Sequence, residues 1–259
     1  MNFHSTEVRQ KALTLLRGGA KNAEVARQLN VPLGTVGWWR HEERRRRGEP
    51  YEHPTDCPRC TGRDFDHIAY AYLLGLYLGD GHITSKPKQH HLSIFCNAAQ
   101  PGLIDAAEQG MRSVMPLPSV KRRQTESCVE VKSFTKHWTC MFPQHGPGKK
   151  HERRIALEPW QQAIVDAHPW DFLRGLIHSD GCRITNWTEK VIGGERKRYE
   201  YVRYFFTNTS RDILGLFTDT LDRVGVEWRS ANHVRRAQNI SVAKRHSVEL
   251  MDQHIGPKY

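Results

Sequence analysis

The sequence predicts an α+β protein: a small three-helix unit, then a domain whose two halves repeat one order of helix, strands, helix, strands, helix. Three observations carry this. Apolar residues recur at helical spacing through residues 6–47, a proline- and glycine-rich break interrupts the chain near residue 50, and a stretch built for burial but ending in aspartate occurs twice, at Asp80 and Asp180. At 259 residues the chain has room for one sizeable core and an accessory domain. Its formal charge of +11 suits a polyanionic partner, because displacing counterions from phosphates supplies sequence-independent affinity. No run of about 18 apolar residues occurs, and the N-terminus has no apolar stretch after a basic one. The expectation is a cytoplasmic protein with no membrane partner, whose six cysteines are reduced thiols or metal ligands.

Residues 1–47 form the first predicted domain. Val8, Ala12, Leu15 and Leu16 make one apolar stripe, ended by Gly18-Gly19. Asn22 can cap a second helix with Val25, Ala26 and Leu29 inside, and a third turns Val36 and Trp39 inward. A small residue at position 26 suits the close crossing of a helix-turn-helix. The stretch "EVARQLNVPLGTVGWW" resembles the helix-turn-helix of homeodomain-like bacterial regulators, transposases and resolvases. That resemblance implies a third helix in a DNA major groove, with Leu33, Gly34, Thr35 and Trp38 facing the bases. Arg44, Arg45, Arg46 and Arg47 would then lie along the phosphate backbone.

Residues 48–66 read as a linker. Within it, the spacing of Cys57 and Cys60 lets two thiolates reach one Zn²⁺. No second Cys-x-x-Cys exists, so flanking His53 and His67 are the candidates to complete a site, Cys96, Cys128 or Cys140 could reach it only through the fold, and the alternative reading of the pair is a turn without metal.

In residues 67–259 the first buried stretch places Ala71, Gly75 and Gly79 on one helical face. Glycine inside a helix costs about 1 kcal/mol relative to alanine, so two on one face call for close approach by another helix. Gly175 and Ser179 hold the same register in the second stretch. Packing the two helices through these faces brings Asp80 and Asp180 together, where like charges resist ionisation unless a shared divalent cation relieves them. After each helix come an apolar strand, an asparagine (Asn97, Asn208), a turn and an amphipathic helix, then further strands and a closing helix. The halves span about 67–150 and 151–259.

"LLGLYLGDG" and "LRGLIHSDG" resemble the paired signature helices of the LAGLIDADG (dodecapeptide) homing endonuclease family. The resemblance covers roughly residues 65–259. It implies two pseudo-symmetric αββαββα halves, a helix-helix interface between them, and saddle-shaped antiparallel sheets along a DNA major groove. It also implies Mg²⁺ or Mn²⁺ held by Asp80 and Asp180, with main-chain carbonyls offered by Gly79 and Ser179. Position six of the motif, acidic in the family name, is Leu78 in one copy and His178 in the other. Basic or polar side chains near the scissile phosphate are further expected, and Lys132 and Lys244, close to the last strand of each half, are the candidates. Bacterial regulators that reuse the fold without cleaving commonly lose one or both acids, whereas both are present here.

The expected function is therefore site-specific, metal-dependent cleavage of double-stranded DNA by a monomer with pseudo-two-fold symmetry. The alternative is a non-cleaving, sequence-specific transcriptional regulator. The loop "FPQHGPGKKHERR" reads as a segment crossing a phosphate backbone or an ordinary surface loop, rather than a metal group of Cys140, His145 and His151. Trp160 and Trp170 read as core.

Overall fold

The computed structural model describes residues 4–49, 55–87, 89–234, 237–256 and 258–259. The chain divides into two compact units, residues 1–54 and 55–259. His53, a candidate zinc ligand, lies outside the described residues.

In the first unit, α1 (Thr6–Arg17), α2 (Asn22–Gln28) and α3 (Leu33–Arg46) bury a shared cluster of Ala12, Leu13, Leu16, Val25, Val31, Val36 and Trp39. Ser5 caps α1 by accepting from the Val8 N–H. Helix α2 starts differently from the expectation. Lys21 is its cap position, with its N–H donated to Glu24, while the Asn22 side chain accepts from Arg40 on α3.

The second unit is organised around two helices. Every residue of α5 (His67–Leu78) from Tyr70 onward is buried, which a helix apolar on all sides requires. Ahead of it lies the four-residue α4 (Pro58–Thr61). Helix α5 leads into β1 (Gly81–Lys86), β2 (Gln89–Asn97), α6 (Pro101–Val114), β3 (Val120–Gln124), β4 (Cys128–Ser133) and the short α7 (Trp138–Met141). After a connection containing a 3₁₀ turn and α8 (Pro159–Ala167), the order repeats. It runs α9 (Pro169–Asp180), β5 (Gly181–Ile192), β6 (Glu195–Asn208), α10 (Arg211–Arg223), β7 (Arg229–Val234), β8 (Ala237–Val242) and α11 (Arg245–His254). Two antiparallel four-stranded sheets result, ordered β1-β2-β4-β3 and β5-β6-β8-β7. Equal strand order in both makes the halves the expected αββαββα pair.

Side chains alternate across each sheet. Leu92, Ile94 and Cys96 of β2 and Val129 and Val131 of β4 are buried against the helices, as are Tyr204 and Phe206 of β6. Trp160 and Trp170 pack, partly buried, against the same core. The halves differ in the reach of their first hairpin. Its pairing runs only from Gly81↔Ile94 to Lys86↔Gln89 in one half, but from Gly181↔Phe206 to Ile192↔Glu195 in the other. Gly193 and Gly194 close that longer ribbon with φ of 61° and 86°, both in the left-handed region that a tight hairpin turn demands. No helix among the described residues is long and apolar enough to cross a membrane.

Candidate active site

Helices α5 and α9 touch backbone to backbone. A methyl group on Gly75 would fall 2.5 Å from the Phe172 carbonyl oxygen, and one on Gly175 would fall 2.2 Å from that of Tyr72. The glycines are therefore small because the opposite helix occupies the space a side chain would need. One turn on, a methyl group on Gly79 would meet Ser179 Oγ at 2.1 Å and lie 3.2 Å from Asp180 Oδ2. The two helices thus end side by side, with Asp80 and Asp180 at their adjoining C-termini.

Burial and mutual charge set the chemistry of the pair. Asp80 is pushed up to about 6, first by burial and then by the charge of Asp180, against opposing pull from Lys258 and Lys150. Asp180 is also raised by burial, and is held back by Lys150, by a hydrogen bond from Asn208 and by Lys258. Asn208 Nδ2 donates to Asp180 Oδ2 at 2.6 Å, while its Oδ1 accepts the Ser210 N–H. Asn97 makes the matching turn in the first half, accepting the Ala99 N–H.

Two lysines complete the cluster, one following the closing helix of each half. Lys150 Nζ donates to the carbonyl oxygens of Tyr77, Leu78 and Gly79 at 2.6, 3.0 and 2.6 Å. Lys258 Nζ donates to the Ser179 carbonyl oxygen at 2.8 Å. Each lysine therefore caps the helix end beside one acid, and the carbonyls of Gly79 and Ser179 carry ammonium donors. Burial lowers both lysines, Lys150 to about 8, against the opposing charges of the two aspartates.

Lys132 and Lys244 each pair with a glutamate. Lys132 shares a face of β4 with Glu130 and pairs with it at 3.0 Å, as strand period dictates for residues two apart. Lys244 is the cap residue of α11 and pairs with Glu227. The cations acting on both acids are instead Lys150 and Lys258, from segments after each half's last helix. No period marks such segments in a sequence. The loop Phe142–Arg154 thus contributes a site residue in Lys150. His178 lies under the site, buried, with Nδ1 3.0 Å from Tyr72 Oη, and burial with nearby Arg174 brings it down to about 4.

The sheet faces turned away from the helices are polar and cationic. In the first half they present His82, Thr84, Lys121, Arg123 and Lys132, and in the second Asn186, Arg203 and Thr207. Phe95, Ile184 and Tyr199 stand exposed among them. The outer part of the β5–β6 ribbon is exposed on both faces and carries Lys190, Arg196, Lys197 and Arg198.

In the first unit, Leu33, Gly34 and Trp38 are exposed on α3 and Thr35 is half-buried. Arg45, Arg46 and Arg47 are exposed and Arg44 is half-buried; Arg44 pairs with Glu49, and Arg47 with Glu43 and Glu49. In the second unit, Cys57 and Cys60 lie with His137 and Cys140, their ligand atoms all within 4.8 Å of one another. His67 is outside that group, its ring edge-on to Phe65 and His168.

No protein-family profile matches the chain, and no curated protein matches its sequence. Among solved structures it is similar to mesophilic variants of the homing endonuclease I-DmoI, at a TM-score of 0.50 and 14% identity, covering 73% of this chain and 89% of that one. It is also similar to the LAGLIDADG meganuclease I-AabMI bound to uncleaved DNA, at a TM-score of 0.48 and 13% identity over 71% and 82%. A third likeness is to the N-terminal LAGLIDADG domain of DUF199/WhiA, at 0.45 and 12% over 74% and 83%.

Proposed function

We propose that this chain, whose second unit has the fold of LAGLIDADG homing endonucleases, is a metal-dependent endonuclease of double-stranded DNA. The observation that carries the reading is the pair of half-buried aspartates at adjoining helix ends, each beside a lysine, in a unit whose outer sheet faces are cationic. Two carboxylates pushed toward protonation suit a hard divalent cation, whose charge would relieve their repulsion and which prefers oxygen ligands. The helix C-termini favour the same sign of charge. Mg²⁺ or Mn²⁺ held by Asp80 and Asp180 would supply Lewis-acid stabilisation of phosphate charge and a water of lowered pKa.

The chain's own groups then divide the work. Lys150 and Lys258 hold the helix ends in place through their carbonyls and keep positive charge where a scissile phosphate would gather negative charge. Asn208 fixes the rotamer of Asp180 by donating to one oxygen, leaving the other to face a cation. The two sheet surfaces and the long β5–β6 ribbon supply phosphate and base contacts, a two-stranded ribbon being narrow enough for a major groove. The three-helix unit adds contacts through the exposed first turn of α3 and the arginines that follow it. Both acids come from one chain, so a monomer suffices and the target need not be palindromic.

A transcriptional regulator is the second reading, favoured by the three-helix unit at the front. Cleavage of a plasmid library in Mg²⁺ separates the two. The nuclease reading expects cutting by the wild type that Asp80→Asn and Asp180→Asn abolish while DNA binding persists. Tight binding without cutting, on a library shown to contain the bound site, would leave the regulator.

A further inference from the structure

We propose that Cys57, Cys60, His137 and Cys140 form a structural Zn²⁺ site, independent of the nuclease centre, that staples the start of the second unit to the end of its first half. Cys60 Sγ lies 3.3 Å from His137 Nδ1 and 3.7 Å from Cys140 Sγ, and Cys140 Sγ lies 3.9 Å from His137 Nδ1. All four ligand atoms fall within 4.8 Å of one another. A tetrahedral zinc ion with Zn–S near 2.3 Å and Zn–N near 2.0 Å sets its ligands about 3.5–3.8 Å apart. The group is therefore already close to the spacing zinc imposes, and three thiolates with one imidazole are a donor set zinc favours.

The local backbone repeats the device twice. Cys57 is the cap residue of α4 and Cys60 its third residue, while His137 is the cap residue of α7 and Cys140 its third residue. In each arm the N–H of the second ligand donates to the carbonyl of the first, Cys60 to Cys57 at 3.1 Å and Cys140 to His137 at 3.0 Å. That turn directs both side chains of an arm to one side, and the two arms face each other. Neither four-residue helix holds itself by its own hydrogen bonds. A metal joining them closes a loop across 80 residues of sequence, removing that freedom from the unfolded chain.

The staple also has a place in the fold. Helix α7 buries Trp138, and its Met141 carbonyl accepts from Tyr70 Oη at 2.6 Å and from Gln161 Nε2 at 3.3 Å. Zinc on one side and helix α5 on the other thus hold the segment that leads to Lys150. His67, the ligand expected beside the cysteine pair, is excluded because its ring is turned toward Phe65 and His168.

The test is metal analysis of the purified full-length protein, with Co²⁺ substitution and X-ray absorption at the zinc edge. One zinc per chain is expected, in a shell of three sulfurs and one nitrogen, with Co²⁺ giving thiolate charge-transfer and tetrahedral bands. Cys60→Ser and Cys140→Ser should lose the zinc and lower the melting temperature by on the order of 10 °C. Cys128→Ser and His67→Ala should keep it. Sub-stoichiometric metal in the wild type, a shell without three sulfurs, or full retention by Cys140→Ser would each overturn the proposal. The wild-type spectra decide the matter even if the serine variants do not fold.

Discussion

Asp80 is costly to keep ionised in the absence of a cation, since it is partly desolvated beside a second carboxylate. Asp80→Asn should therefore raise the melting temperature of the metal-free protein at neutral pH while abolishing cleavage, a pairing that calorimetry and a cleavage assay read together. Lys150 offers a different signature. Replacing it with methionine should lower the cleavage rate by roughly 10²-fold, the usual cost of losing one donor that stabilises developing charge, with DNA affinity little changed. His178 makes a pH prediction. Its folded value near 4 lies below its ordinary 6.5, so the unfolded chain binds this proton first as pH falls. Its contribution is complete above about pH 6.5 and lost progressively toward pH 4, on the order of 3 kcal/mol in all. Denaturant unfolding of His178→Leu, which copies Leu78 of the other motif, should lack that acid-side slope relative to the wild type. An unchanged slope would show that His178 is not held neutral by burial.

At the scale of elements, the α5–α9 contact decides whether the halves join. Gly175→Ala would drive a methyl group into the Tyr72 carbonyl, backbone that has nowhere to go, and should cost roughly 3 kcal/mol or more in thermal or denaturant unfolding. Gly215 on α10 is the control: a methyl group there meets nothing within 4 Å, so Gly215→Ala should stabilise by about 0.5–1 kcal/mol. The same contact explains what was legible in the sequence. Glycines at helical spacing on one face have a single cheap physical explanation, and with the repeated strand order they predict two packed halves ending in adjacent acids. The lysines were not legible, because Lys150 starts a single 3₁₀ turn and Lys258 follows the last helix, and neither place has a period that tells which side chain turns inward. Lys132 was picked out by strand period, which also places Glu130 on its face, and the two pair with each other. The cysteine pair was visible, but its partners His137 and Cys140 are brought to it only by the way the first half folds back.

Over the whole molecule, charge should govern affinity. With a formal charge of +11 and cationic sheet faces, DNA binding should weaken on the order of 10³-fold between about 50 and 200 mM salt. Removing residues 1–54 should flatten that slope and weaken binding without abolishing cleavage, since each unit has its own core. Competition binding across a salt series measures both, and an unchanged slope would exclude the three-helix unit from the interface. Asp80 and Asp180 should together bind one divalent cation over DNA. Electron paramagnetic resonance of Mn²⁺ titrated into the protein on its bound DNA site tests it most directly. Tight Mn²⁺ binding is expected in the wild type, and either Asp80→Asn or Asp180→Asn should remove it. Binding that survives both substitutions, or none in the wild type on DNA, would contradict it.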